Sequence, residues 1–305
     1  MISPALATSI CGIALRNPVI AASGTFAYGV EFEKLIDLNA LGGLVVKGLS
    51  REPIEGNAAP RVVETACGMI NSIGLQNIGV RAFVKEKLPV LGRFQTTVFA
   101  NIFGYETADY VEVARVLEDH TGVAAYELNV SCPNTKHGGI YFSSDPALLA
   151  EVVTAVKRVA KRPVIVKLSP NVAVIEPLAR AAEDAGADAI SLVNTFVSLA
   201  IDAKTRRAKI GAGMGGLSGP SIKPIALRMV WQAARAVKIP VIGLGGIATG
   251  EDAAEFLIAG ASAVQVGTAT FWDPRSPLRV AEELGRFLRR EKIASVKELV
   301  GTLQL

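Results

Sequence analysis

Short apolar runs rich in Val, Ile, Leu and Ala recur along the chain, separated by longer stretches whose apolar positions return at helical spacing. Eight of the short runs read as strands: Val19–Ala22, Leu44–Lys47, Thr97–Asn101, Ala125–Asn129, Val164–Lys167, Ala189–Asn194, Val241–Gly243 and Ala263–Val266. The intervening pattern predicts helices. Ala147–Val159 follows Ser144-Asp145-Pro146, an N-cap candidate with a first-turn proline, and Glu251–Ile258 runs to a C-capping Gly260. Strand and helix alternating in this way predict an α/β protein, a (β/α)8 TIM barrel. Two stretches exceed an ordinary βα loop. Gly48–Arg93, after strand 2, is expected to carry extra strands before a helix near Val80–Leu91, and Asp202–Gly219, after strand 6, precedes a helix beginning near Pro220. No Ser/Pro-rich linker divides the chain, so residues 1–305 are read as one domain.

A barrel puts functional groups at the C-terminal ends of its strands. Ser23, Lys47, Asn101, Asn129, Lys167 and Asn194 each close or follow an apolar run. Singly, Asn, Ser and Gly there are ordinary strand punctuation. Lysines at two strand ends are less ordinary, because a head group aimed into a barrel mouth needs an anionic partner. The seventh and eighth runs end in Gly245-Gly246 and Gly267-Thr268, side-chain-poor backbone placed where barrel enzymes often bind phosphate on amide N–H groups. Gly243–Ala248 and Gly211–Gly216 also fit dinucleotide-type glycine patterns. Neither is followed by a strand ending in the ribose-binding acid that a Rossmann unit requires.

The segment Glu127-Leu128-Asn129-Val130-Ser131-Cys132-Pro133-Asn134 sets a thiol and two carboxamides just past a buried strand, with Pro133 limiting the backbone of Cys132. Such a thiol is either a small buried hydrophobe or a reactive group. The three cysteines, Cys11, Cys67 and Cys132, have no CxxC spacing, which excludes an encoded disulfide framework or a self-contained metal site and suits a reducing cytoplasm. The N-terminus lacks a signal pattern, and no apolar run approaches the roughly 20 residues of a membrane span. The net charge of +4 comes from dispersed Lys and Arg, with short clusters such as Lys204–Arg207 that read as solvated loop, so nothing points to nucleic acid.

From Asn17-Pro18 to Phe271-Trp272-Asp273 the sequence resembles the class 1 dihydroorotate dehydrogenases. Val46-Lys47-Gly48, Glu64–Asn77, Asn129–Asn134 and the paired glycine loops carry the likeness. Lys136-His137-Gly138-Gly139 and Gly74-Leu75-Gln76-Asn77 resemble the catalytic subunit of the NAD-linked subclass 1B; Ala66-Cys67 departs from the expected Pro-Ala. The resemblance implies oxidation of (S)-dihydroorotate to orotate in pyrimidine (UMP) biosynthesis, with one FMN per chain and no metal. Cys132 would take the C5 proton while the C6 hydride passes to the flavin, under a loop hinged at Gly138-Gly139. By resemblance the FMN site comprises Ser23, Lys47, Gly48, Asn101, Asn129, Lys167, Val193, Gly219, Gly245, Gly246, Gly267 and Thr268. Substrate would be held by Lys47, Asn71, Ser72, Ile73, Gly74, Leu75, Asn129, Asn134, Asn194 and Thr195. Three scattered cysteines cannot bind an iron–sulfur cluster that needs four ligands. The likeness to subclass 1B therefore implies an electron-transfer subunit bringing FAD and a [2Fe-2S] cluster, in a heterotetramer of two catalytic and two partner chains.

The runner-up is a self-sufficient class 1A homodimer using fumarate. An FMN-dependent tRNA dihydrouridine synthase would be expected to bring an RNA-binding region after the barrel, and little sequence follows the last barrel helix. A Schiff-base aldolase on Lys167 would need neither Cys132 nor the asparagines, and a phosphate-binding scaffold would carry no flavin.

Overall fold

The computed structural model describes residues 4–130 and 140–305. Eight parallel strands close into a barrel in sequential order: β1 (Val19–Ala21), β2 (Gly43–Val45), β3 (Val98–Ile102), β4 (Ala125–Asn129), β5 (Val164–Lys167), β6 (Ala189–Leu192), β7 (Val241–Leu244) and β8 (Ala263–Val266). All eight predicted runs are found, with ends shifted by a few residues. The largest shifts are at β2, which stops at Val45, and at β6, which stops at Leu192, so Lys47, Val193 and Asn194 belong to loops at the barrel mouth.

The barrel interior is layered, because side chains on a strand alternate between its two faces. Each strand contributes one side chain to a lower apolar cluster: Ile20, Val45, Phe99, Ala125, Ile165, Ala189, Ile242 and Ala263. Two residues further along the same strands come Ala22, Lys47, Asn101, Glu127, Lys167, Ser191, Leu244 and Gln265. One step toward the C-terminal end thus turns a hydrocarbon core into a mostly polar floor.

The lower cluster is sealed by an N-terminal hairpin, Thr8–Ile10 paired antiparallel with Ile13–Leu15, which buries Ile10 and Leu15 against it. This hairpin is absent from the sequence reading. Its two turn residues, Cys11 and Gly12, have φ of 51° and 77° as a type I′ turn requires, and cysteine is not among the residues that ordinarily announce such a turn. The Cys11 thiol donates to the carbonyl of Asp188, just before β6, at 3.2 Å.

Helices pack around the strands for the reasons their sequences suggest. Pro146–Lys157 starts where Asp145 accepts from the amides of Ala147 and Leu148, and it buries Leu149, Val152, Val153 and Val156 on one face. Gly250–Ile258 begins with a reciprocal Thr249–Asp252 capping box. The helix expected over Val80–Leu91 is interrupted by a π turn at Phe83–Lys87, between Gly79–Ala82 and Leu88–Leu91. The helix expected near Pro220 begins as a 3-10 turn, Pro220–Ile222, and becomes α-helical over Lys223–Ala236. Among the described residues no helix is long and apolar enough to cross a membrane.

The two excursions join. Val62–Thr65 and Gly68–Asn71 from the first form a four-stranded antiparallel sheet with Met214–Ser218 and Phe196–Leu199 from the second. The second excursion therefore starts at Phe196 rather than at Asp202. Its Phe196–Leu199 run alternates half-buried and exposed positions, a weak signal beside the continuous apolar runs of the barrel. Lys204–Arg207 lies exposed, as expected.

Burial, reinforced by the nearby Asp188 carboxylate and opposed by Lys157, pushes the Cys11 thiol up to about 11 from 9.0. The folded state therefore favours the protonated thiol, so this contribution is intact below the ordinary value and is lost as pH rises from about 9 toward about 11. Chemical denaturation across that window is expected to show wild type losing stability relative to Cys11→Ala. Parallel curves for the two proteins would contradict it.

Candidate active site

Every barrel strand sends residues into one cleft at its C-terminal end. With its open mouth included, the cleft spans about 1330 Å³. Ser23 follows β1 and is fixed by its hydroxyl donating to the Val46 carbonyl at 2.8 Å. Lys47 and Gly48 follow β2; Val193, Asn194 and Thr195 follow β6; Gly245–Ala248 follow β7; Gly267–Ala269 follow β8. The joined sheet supplies Val62, Met69, Asn71 and Ser218 as one wall, with Ile73, Gly74 and Leu75 beside them. Gly216 pairs with Asn71 in that sheet, which brings parts of the chain more than a hundred residues apart to the same ligand space.

The loops need glycine at two points. Gly219 has φ +97°, and a Cβ there would lie 2.8 Å from the Gly68 Cα. Gly245 has φ +125°, and a Cβ would lie 2.7 Å from the Ala226 Cβ under the loop. A side chain at either position would displace the backbone that shapes the cleft.

Carboxamides at the mouth hold one another. Asn194 donates to the Asn129 side-chain oxygen at 3.3 Å and accepts from the Thr195 amide at 2.9 Å, while the Tyr110 hydroxyl donates to the Asn129 carbonyl at 2.9 Å. Asn71 donates to the Gly216 carbonyl at 3.4 Å. Rigid amides of this kind present a mixed donor and acceptor surface to a planar polar ring.

Beneath them lies a buried carboxylate that sequence reasoning missed. Glu127 Oε1 accepts from Asn101 Nδ2 at 2.8 Å and faces the Lys167 ammonium at 3.6 Å. Its Oε2 accepts from Ser191 Oγ at 2.9 Å and Gln265 Nε2 at 2.7 Å. Glu127 is fully buried, and Lys167, Asn101, Ser191 and Gln265 are nearly so. The anion that a strand-end lysine requires is thus supplied, for Lys167, by the chain itself. The signal was present: an acid within the run Ala125–Asn129 and a glutamine within Ala263–Val266 are polar residues that two-sided burial would otherwise exclude.

All the residues assigned by resemblance to the cofactor line the cleft, and so do Asn71, Ile73, Gly74, Leu75, Asn194 and Thr195 from the substrate set. Ser72 does not. Alternation turns it away from Asn71, and its hydroxyl is buried without a hydrogen-bond partner among the described residues. Cys132, Asn134 and the Lys136–Gly139 run lie outside the described residues. Phe103, Pro220, Ile222, Phe271 and Trp272 also line the cleft and had not been singled out as ligand contacts. His120 lies exposed at a helix end with Nδ1 2.9 Å from the Val116 carbonyl, remote in role from the cleft.

Comparison with known proteins agrees with this geometry. The dihydroorotate dehydrogenase family model matches residues 5–288. A Solibacter usitatus protein provisionally named dihydroorotate dehydrogenase A (fumarate) is 79% identical over 302 residues, covering 99% of each chain. Proteins named dihydroorotate dehydrogenase B (NAD(+)), catalytic subunit, are 55% identical over 305 residues in Geobacter sulfurreducens, covering all of both chains, and 52% over 301 residues in Thermodesulfovibrio yellowstonii, covering 99% of each. With the family model spanning most of the barrel and its relatives aligned end to end, the chain belongs to the dihydroorotate dehydrogenase family.

Proposed function

We propose that this chain oxidises (S)-dihydroorotate to orotate with one non-covalent FMN in the barrel-mouth cleft, and that electrons leave through a partner subunit to NAD. The observation that carries the reading is the meeting, in one cleft, of two strand-end lysines, a fixed set of asparagines and two glycine loops. The donor set fits FMN. Backbone amides after β7 and β8 suit its phosphate, and Lys167 suits the negative charge that the ring acquires on reduction. FMN supplies the hydride acceptor.

The protein's own residues do the rest. Asn71, Asn129 and Asn194 orient the dihydropyrimidine ring through its N–H groups and carbonyls, with Lys47 toward its carboxylate. Cys132, on the segment after β4, takes the C5 proton. A free thiol near 8.5 is a workable base once its proton can pass on toward water. The outer sheet exposes Val197, Leu199 and Met214, apolar surface suited to subunit contacts.

The NAD assignment is supported by the names of relatives at 52–55% identity and by the three cysteines of this chain, too few for a four-ligand cluster. A specific observation favours a second reading: the relative at 79% identity is named for fumarate, which would make this chain a homodimer needing no partner.

Denaturing the purified protein is expected to release FMN; a colourless chain that takes up no added FMN, or one that yields FAD, contradicts the cofactor assignment. Cys132→Ala is expected to slow flavin reduction by dihydroorotate by about 10²–10⁴-fold, with FMN content and orotate binding kept. Wild-type reduction kinetics in that variant would remove Cys132 from proton transfer. Assayed alone with dihydroorotate, the chain should reduce artificial dyes and not NAD. Rapid NAD reduction by the isolated chain would overturn the partner assignment, and efficient fumarate turnover would select the homodimer.

A further inference from the structure

We infer that Lys223 is a positioning residue for the flavin phosphate: its ammonium cancels the charge of Asp252, the carboxylate that holds the loop after β7, so that this loop can accept an anion. The inference rests on the FMN reading above and deepens it.

Gly245–Ala248 line the cleft and lead directly into the helix Gly250–Ile258. The start of a helix ordinarily offers its first amides to an anion. Here the chain takes them itself. Asp252 Oδ2 accepts from the Ala248 amide at 2.9 Å and from the Thr249 amide at 2.8 Å. Glu283 Oε2 accepts from the Gly250 amide at 2.8 Å, and Thr249 Oγ1 accepts from the Asp252 amide at 3.1 Å. A phosphate must therefore meet the loop before Ala248. Gly246 is the accessible point, since it is partly exposed in the cleft and its amide has no acceptor among the described residues.

Holding the loop with carboxylates has an electrostatic consequence. A phosphate at Gly246 would face an anion bonded to the same loop two residues further on, and like charges at that range repel. Each carboxylate is matched by a cation. Arg279 meets Glu283 at 3.2 Å. Lys223 Nζ lies 2.6 Å from Asp252 Oδ1, the oxygen that holds no amide, and 3.0 Å from Glu255 Oε2. The two oxygens of Asp252 thus divide their work, Oδ2 fixing backbone and Oδ1 meeting charge. Gly246 packs on the start of the Lys223 helix, where a Cβ would lie 2.9 Å from the Lys223 backbone nitrogen. Neither Lys223 nor Asp252 lines the cleft, so both act through the loop.

The test compares FMN with riboflavin, which is the same flavin without the phosphate. Wild type is first checked for bound FMN by denaturation; flavin-free protein is then titrated with each flavin, and binding is read from flavin fluorescence. Lys223→Met keeps the length of the side chain and removes the cation. It is expected to weaken FMN binding by about 10-fold, the scale of one uncompensated charge at partly screened range, with riboflavin binding unchanged. Adding Asp252→Asn removes the stranded charge while leaving an oxygen for the Ala248 and Thr249 amides, so the double variant is expected to recover FMN binding. A merely structural ion pair predicts the opposite, since losing both partners would not restore what losing one had cost. Equal weakening of both flavins in Lys223→Met, unchanged FMN binding, or no recovery in the double variant overturns the proposal. Should Lys223→Met fail to fold, a reduced preference for FMN over riboflavin in the double variant overturns it instead. Wild type that binds riboflavin as tightly as FMN removes the phosphate from the loop and overturns it too, whereas wild type that takes up neither flavin sinks the cofactor reading itself before any variant is needed.

Discussion

A carboxylate buried on the axis of a hydrocarbon barrel is the interaction on which the site is built. Taking Glu127 and Lys167 out of water carries a desolvation penalty that their 3.6 Å approach offsets only if the remaining lone pairs are filled. Asn101, Ser191 and Gln265 fill them. A well-packed apolar pair of the same volume would often be as stable, so the arrangement is better understood through geometry than through folding energy. Four side chains from four strands acquire fixed directions from one acceptor, and three of them, Asn101, Lys167 and Gln265, form part of the cleft floor. The floor is therefore preorganised before any ligand arrives.

The layering of the barrel explains how such a floor is tolerated. Directly below it every strand contributes an apolar side chain, and the N-terminal hairpin closes that layer from the other end. Water is excluded from beneath Glu127 by Ile10, Leu15 and the ring of aliphatic and aromatic side chains above them, so the network has no competing solvent partner. Above the floor, the two excursions meet as one antiparallel sheet and raise a wall beside the mouth. Neither excursion would form a stable sheet alone, since an isolated hairpin is marginal in water. Pairing Gly68–Asn71 with Met214–Ser218 makes the wall, and the position of Asn71 in the site, conditional on the whole barrel having closed.

The division between sequence and tertiary structure follows from which signals are local. The eight strands were legible because a parallel strand covered on both faces must be continuously apolar, and helix ends such as Asp145-Pro146 and Thr249 carry their caps within a few residues. Strand-end residues such as Lys47, Asn101 and Lys167 were legible as a set because a closed barrel places all its C-terminal ends at one mouth. Resemblance then added Gly219, Val193 and the Ile73–Leu75 backbone, which pattern alone would not single out. What sequence left undecided depends on contacts across the fold. The Cys11-Gly12 turn, the pairing of two excursions, the outward turn of Ser72 and the π turn in the helix before β3 have no local signature strong enough to read. Glu127 is the clearest case. Its charge in an apolar run was visible, but its direction and partners exist only once β3, β5, β6 and β8 surround β4 in a closed ring, because a buried carboxylate is defined by donors that other strands bring to it.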